Sequence, residues 1–281
     1  MPTIPGAVAA LPADARVLDL PVTARRRSGP DAWILELGLP EAWPRLRPGR
    51  FAMLAPADGR GPFIPRPFSI YSQPAPDRLD FLIQVLGPGT RALAALREGE
   101  TCTATVPLGN GFEVQPPERP VVLVAGGVGS APFLLYLEER AAAGAAERTW
   151  FFYGARSADR LYDRERFEAV GSPVRCSTED GSLGFAGRVL DDLASALDRG
   201  GVPEEARFAA CGPEGLLHAF AAFARERGLD AELSLETYMG CGVGVCNACP
   251  TPTDPEGPWG DWPWVKTCVD GPVMPLRAIR F

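Results

Sequence analysis

Four cysteines near the end of the chain carry its most specific chemistry: Cys241, Cys246 and Cys249 within the string MGCGVGVCNAC, and Cys268 further on. CxxxxCxxC followed by a distant fourth cysteine is the spacing of plant-type [2Fe-2S] ligation, where one loop wraps three thiolates around a cluster and a later segment brings the fourth. The interleaved Gly240, Gly242 and Gly244 open backbone conformations denied to other residues, so amide N–H groups can face the sulfides. Such donors are needed because four thiolates and two sulfides leave a buried cluster with net negative charge. A structural zinc is the competing reading of four thiols, but zinc motifs more often pair two CxxC knuckles.

The chain has seven cysteines, an odd number, and the clustering of four favours metal ligation over a disulfide framework. Cys102 and Cys176 fall on expected strands, where a small thiol packs well. Cys211 differs, because the turn Cys211-Gly212-Pro213-Glu214 ends a strand and opens a helix, and open parallel sheets bind ligands at such carboxyl ends. The single histidine, His218, lies in an apolar helical pattern and reads as structural. No catalytic residue is expected beyond the cofactors.

Two further segments could hold dinucleotides. Val121 to Pro132 reads as a buried strand, a turn containing Gly126, Gly127, Gly129 and Ser130, and a helix start. Glycines let a pyrophosphate approach the backbone, and the helix N-terminus supplies oriented donors. Upstream, Arg66-Pro67-Phe68-Ser69 begins a strand and Gly87-Pro88-Gly89-Thr90 opens a helix. An arginine with a hydroxyl and a helix N-terminus suits a second pyrophosphate.

The elements that must position these residues follow from periodicity. A length of 281 residues exceeds one usual hydrophobic core, and 46% hydrophobic with 22% charged residues describes a folded chain. From Arg16 to Val106, β-rich segments are divided by Gly and Pro: Arg16 to Thr23, Ala32 to Leu37, Phe51 to Ala55, Phe68 to Ser72, Leu79 to Val85 and Thr101 to Val106. This spacing predicts an antiparallel six-stranded β barrel, interrupted by a helix from Arg91 to Leu96. After the Pro-rich stretch Gln115 to Pro120, strands alternate with helices, which predicts an α/β unit with a doubly wound parallel sheet. From Glu236 onward neither periodicity survives, and so small a segment needs its cysteines as a staple. The expected division is 1–15 as an N-terminal extension, 16–115 as the barrel, 116–235 as the nucleotide-binding unit and 236–281 as the cluster domain.

A net charge of -7 opposes binding to nucleic acid, and the densest basic run, Arg25 to Arg27, reads as a solvated strand end. The first fifteen residues show no signal-peptide pattern, so a cytoplasmic location is expected. The most apolar stretch, Val121 to Leu137, is broken by glycines and Pro132, so no membrane span is expected.

The order RPxSI, GxGT, PLGNGF, GGVGxAP, CGP and then cysteines resembles the ferredoxin-reductase-like superfamily. Ser234 to Cys249, with the ending Lys266 to Val273, is similar to the electron-transfer subunits of NAD-dependent dihydroorotate dehydrogenases. That resemblance implies that Arg66, Phe68 and Ser69 contact a flavin, that Gly89 and Thr90 hold the FAD pyrophosphate, and that Gly109, Asn110 and Gly111 shape the same pocket. It likewise implies a nicotinamide dinucleotide, NAD, at Gly126 to Ser130, Thr178 to Asp180 and Cys211 to Pro213. The implied partner is an FMN-containing dihydroorotate dehydrogenase subunit in a hetero-oligomer serving pyrimidine biosynthesis. A reductase module of a hydrogenase, sulfhydrogenase or bifurcating transhydrogenase shares the motifs, and a zinc-stapled interaction module is the non-enzymatic alternative.

The three cofactors form a chemical sequence. Nicotinamide exchanges a hydride and an iron-sulfur cluster one electron, so a flavin must mediate between them. Glu179 and Asp180 after a strand end would repel a 2′-phosphate and favour NAD over NADP. Trp259, Trp262 and Trp264, beside three prolines, suit either a docking surface or the small domain's core.

Overall fold

The structure, a computed structural model, describes residues 12–280; most of the expected N-terminal extension, residues 1–11, and Phe281 lie outside the described residues. Seven strands form the first sheet: β1 (Arg16–Arg27), β2 (Ala32–Gly38), β3 (Phe51–Pro56), β4 (Arg66–Ser69), β5 (Ser72–Ala75), β6 (Arg78–Gln84) and β7 (Thr101–Leu108). Their order is β4-β3-β7-β1-β2-β6-β5. The single strand expected from Phe68 to Ser72 is divided in two, and the division closes the barrel. β4 pairs with β3 and β5 with β6, while Ile70 N donates to Arg50 O and Tyr71 N to Asp80 O, both at 2.9 Å. One bent stretch thus covers both edges, and six staves enclose the core. Helix α1 (Pro88–Ala94) starts earlier than expected, because Pro88 suits a first helical turn and Thr90 Oγ1 takes the Leu86 and Gly87 amides at 2.9 and 3.0 Å.

Strand alternation decides what each barrel face meets. Along β3, Ala52 and Leu54 enter the barrel core with Leu20, Leu35 and Phe81, whereas Phe51 and Met53 turn outward into a separate apolar cluster.

The second unit runs β8 (Val121–Gly126), α2 (Phe133–Ala142), β9 (Thr149–Ala155), α3 (Arg164–Ala169), β10 (Val174–Thr178), β11 (Phe185–Ala186), α4 (Val189–Asp198), β12 (Arg207–Cys211), α5 (Glu214–Glu226) and β13 (Ala231–Ser234). Strand order β11-β10-β9-β8-β12-β13 is parallel throughout, and β8 is buried from Val121 to Ala125, as a strand covered on both faces must be. The α4 and α5 side chains cover one face. On the other, α2 and α3 share a core with barrel residues Ile34, Tyr71 and Leu82, so the two units are joined by one continuous apolar contact.

The cysteine-bearing segment holds more regular structure than its sequence suggests: β14 (Pro250–Pro252) and β15 (Trp264–Lys266) form a hairpin, followed by α6 (Thr267–Asp270) and β16 (Val273–Pro275). β16 pairs antiparallel with β13 and extends the parallel sheet. Three-residue strands are too short to leave an alternation in the sequence. Trp259 packs against the core that α4, α5 and the C-terminal segment share, while Trp262 and Trp264 are about half exposed. Among the described residues no helix is long and apolar enough to cross a membrane.

Candidate functional site

The cysteine loop lies directly on the outer face of β3. Gly242 has φ +71°, and a Cβ there would stand 2.4 Å from Met53 Cγ and 3.2 Å from Leu108 Cδ1, so only glycine allows the approach. Cys249 and Cys268 are buried with Phe51, Met53 and Leu108, flanked by Met239, Val243 and Val269. Their sulfurs are 3.3 Å apart. The hairpin brings Cys268 there: Thr267 N donates to Cys249 O at 2.9 Å, and the Thr251 and Thr267 hydroxyls are 2.6 Å apart. Lys266 Nζ reaches back to Gly244 O at 2.7 Å and ties down the loop.

Cys241 Sγ accepts from the amides of Val243 and Cys246, each at 3.4 Å. Burial opposes its thiolate, but the amides outweigh burial and bring the thiol down to about 7. The hydrogen bond shared by the Cys249 and Cys268 sulfurs splits the pair, lowering the Cys249 thiol and raising that of Cys268. Among the described residues no three metal-ligating side chains stand together as a set around one ion. The thiols fall instead into one close pair, one amide-bonded sulfur and one exposed cysteine, Cys246. An all-thiol donor set, with Cys241 and Cys249 lowered toward the thiolate and N–H groups aimed at the Cys241 sulfur, fits an iron-sulfur cluster.

Next to this loop, β4 presents four partly exposed residues. Ser69 pairs with Phe51 and Pro67 with Met53, which puts both on the outward barrel face, beside the residues on which the loop rests. Phe68 turns partly into the barrel core. Arg66 lies against the start of α1, where a Cβ at Gly89 would be 3.2 Å from its Nε. An open strand face, a guanidinium and a close-packed glycine turn fit a dinucleotide laid across them. The Thr90 hydroxyl is engaged in holding that turn, accepting from Leu86 and Gly87. Phe63, shortly before Arg66 in sequence, and Leu86, directly before the turn, are both exposed.

On the parallel sheet, the strand order reverses between β8 and β12, and the turns at their carboxyl ends touch backbone to backbone. A Cβ at Gly129 would stand 2.5 Å from Cys211 O and from Gly212 Cα, and one at Gly126 would stand 3.1 Å from Pro213 Cδ. This is the topological switch point at which open sheets take dinucleotides, and the residues present fit one. Gly127 stands in the same turn with nothing within 4 Å of a Cβ built there. Ser130 differs from its neighbours: it is fully buried and donates to Tyr153 OH at 3.1 Å, so its hydroxyl serves the core. Thr178 is likewise buried, and its hydroxyl closes the following loop through Leu183 O and N at 2.8 and 2.9 Å. Asp180 accepts from Ser182 N and Oγ, while Glu179, Gly187, Arg188 and Asp191 line a shallow depression beside it. Cys211 is buried, and burial pushes its thiol far up, which removes it from acid-base chemistry. His218 lies 3.5 Å from Glu214 on the outside of α5.

Gly109 to Gly111 stand where the barrel meets the cysteine segment. Asn110 N donates to Gly271 O at 2.8 Å, Asn110 Nδ2 to Val273 O at 2.7 Å, and Val273 N to Asn110 Oδ1 at 3.1 Å. Asn110 is therefore a clasp on that segment. Arg26 is a paired residue rather than a solvated strand end, with Asp163 as its bidentate partner. No local signal announces either bond, because the partners are 163 and 137 positions apart.

Comparison with known proteins bears on the family and the fold. Residues 236–280 match the model of the iron-sulfur cluster binding domain of dihydroorotate dehydrogenase B, and residues 123–222 that of the oxidoreductase NAD-binding domain. The chain is 30% identical to the dihydroorotate dehydrogenase B (NAD(+)) electron transfer subunit of Desulforamulus reducens, over 92% of this chain and 97% of the relative. It is 34% identical to that of Bacillus mycoides, over 83% and 86%. Among solved structures, an NADH-dependent reduced ferredoxin-NADP oxidoreductase aligns with TM-score 0.79 at 24% identity, covering 93% of this chain and 89% of that one. A ferredoxin-NADP reductase from Neisseria gonorrhoeae, with bound FAD and NADP, aligns with TM-score 0.64 at 21% identity, covering 76% and 93%.

Proposed function

The chain belongs to the family of dihydroorotate dehydrogenase B electron-transfer subunits, and from that premise we propose that it carries electrons between a catalytic partner and NAD through a [2Fe-2S] cluster and FAD. The observation that carries this reading is the cysteine loop seated on Phe51 and Met53, beside Ser69 on the same barrel face. When bound, nicotinamide supplies hydride exchange, the cluster single-electron exchange and FAD the conversion between them.

In this reading Cys241, Cys246, Cys249 and Cys268 hold the cluster, and the amides of Val243 and Cys246 offset its charge. Arg66 and Ser69 bind and orient FAD, with Gly87, Gly89 and Thr90 shaping the turn that receives its pyrophosphate. Gly126 to Gly129 and Cys211 to Pro213 receive NAD. Glu179 and Asp191 outnumber Arg188 where the adenosine ribose would lie, which favours NAD over NADP. The working division is 16–115 for FAD, 116–235 for NAD and 236–281 for the cluster. The partner is a catalytic dehydrogenase subunit carrying FMN, in a cytoplasmic hetero-oligomer, with exposed Trp262 and Trp264 as docking anchors.

The test is to copurify the chain with its partner and follow dihydroorotate-dependent reduction of pyridine nucleotide. The complex should reduce NAD at least about tenfold faster than NADP, an order typical of losing one well-placed charge contact. Absence of dihydroorotate-dependent NAD reduction in a complex with full flavin and iron content would contradict the reading.

A further inference from the structure

Between barrel and parallel sheet stands a set of charged groups that none of the cofactor loops uses. Asp163 precedes α3 with φ +53°, a left-handed conformation that side chains other than Asn and Asp rarely adopt. Its carboxylate accepts two bonds from Arg26 of β1, at 2.7 and 2.5 Å, and a third from the Tyr71 hydroxyl at 2.6 Å. Arg166 reaches from α3 to Ser72 Oγ at 2.5 Å and to buried Asp80 at 3.2 Å. On the other side, Arg160 and the Tyr162 hydroxyl both donate to Asp31, at 2.8 and 2.7 Å. The β1–β2 turn is fitted to this segment, since a Cβ at Gly29 would stand 2.8 Å from the Tyr162 ring. Each of these bonds joins a barrel residue to residues 160–166.

The apolar contact beneath, Ile34, Tyr71 and Leu82 against Phe151, Tyr153 and Phe167, attaches the units but gives little direction, because burial of apolar surface is non-directional. Bidentate carboxylate–guanidinium pairs do have direction. In the function proposed above, flavin and nicotinamide are held on opposite sides of this contact, and hydride passes only at about 3–3.5 Å between reacting atoms. We propose that Arg26, Tyr71 and Asp163 are positioning residues for hydride transfer: they set the rotation of the nicotinamide-binding sheet on the flavin-binding barrel without touching either cofactor.

The test uses the full chain with its cofactors. Asp163→Asn keeps the shape and the tolerance of a left-handed backbone but removes the charge. Arg26→Ala with Tyr71→Phe removes the donors and leaves Asp163. Arg164→Ala is the control, because its partner Glu168 lies on the same helix. The limiting rate of FAD bleaching by NADH, and the NADH dissociation constant from its concentration dependence, are read by anaerobic stopped flow. Hydrogen exchange of the Ser28 to Asp31 turn is read on the same samples and does not depend on turnover. In both sets the limiting rate should fall about tenfold or more, since an ångström of misplacement costs up to about a hundredfold. NADH affinity should stay within about twofold, flavin content should hold, and exchange of the turn should quicken, with Arg164→Ala silent. Should Asp163→Asn lose its FAD, Tyr71→Phe alone carries the test by the same criteria. An unchanged limiting rate in both sets, or a fall that Arg164→Ala shares, overturns the proposal. Failure of NADH to bleach the unmodified protein would instead overturn the function on which it rests.

Discussion

The barrel meets its two neighbours by different means. Toward the parallel sheet the contact is rimmed by charged, directional bonds, with Asp163 held by Arg26 and Tyr71 and Asp31 by Arg160 and Tyr162. Toward the cysteine segment it is uncharged and close: Gly242 rests on Met53 and Leu108, and Asn110 clasps the backbone at residues 271–273 through neutral hydrogen bonds. The difference matches what each junction must pass. Hydride transfer needs reacting atoms in contact and aligned, so orientation must be fixed. An electron passing between flavin and cluster needs a short, well-packed gap and has no reacting atoms to align, so packing suffices.

The largest effect expected of breaking the uncharged junction comes from Gly242→Ala. The methyl group would collide with Met53, and its φ of +71° disfavours an L side chain, so the loop must lift from the barrel. Overpacking and backbone strain together should cost about 2–4 kcal/mol, read as a lower unfolding midpoint. FAD should still bleach at the normal rate with NADH while reduction of the cluster slows. Equal slowing of both steps would mean that the two junctions are not independent.

A smaller effect sharpens the charged junction. Asp80 is 1% exposed. Burial raises its carboxyl to about 6, Arg166 and Arg78 pull it back, and Glu36 adds to the rise. A carboxyl that holds its proton more tightly folded than unfolded favours folding at low pH, and that contribution is lost as pH rises from about 4 to about 6. The stability of Asp80→Asn relative to the unmodified protein should therefore improve by on the order of 2 kcal/mol between pH 4 and pH 7. Denaturant unfolding at both pH values checks this, and an opposite trend would mean that the ion pairs with Arg166 and Arg78 outweigh burial.

The two junctions also differ in how legible they are. The cysteine loop is announced by local spacing, and its glycines mark the close approach before the structure supplies the surface approached. The barrel strands are legible because alternation of period two is local, apart from the bend between Ser69 and Ser72, which depends on pairing with two separate strands. The charged junction is not legible, since Arg26 and Asp163 lie in different units and each reads alone as a surface charge. Ser130 shows another limit: a glycine turn marks where a ligand can approach the backbone, but not that a neighbouring hydroxyl points into the core.

The proposed order of electron flow is nicotinamide, flavin, cluster, with the barrel between the other two units. Anaerobic stopped-flow reduction of the purified chain by NADH, with iron and acid-labile sulfide measured on the same sample, tests it most directly. Roughly two iron and two sulfide per chain are expected, with flavin bleaching first and the cluster absorption decaying after it. Stoichiometric zinc without sulfide in protein made with adequate iron, or cluster reduction that precedes flavin bleaching, would contradict it.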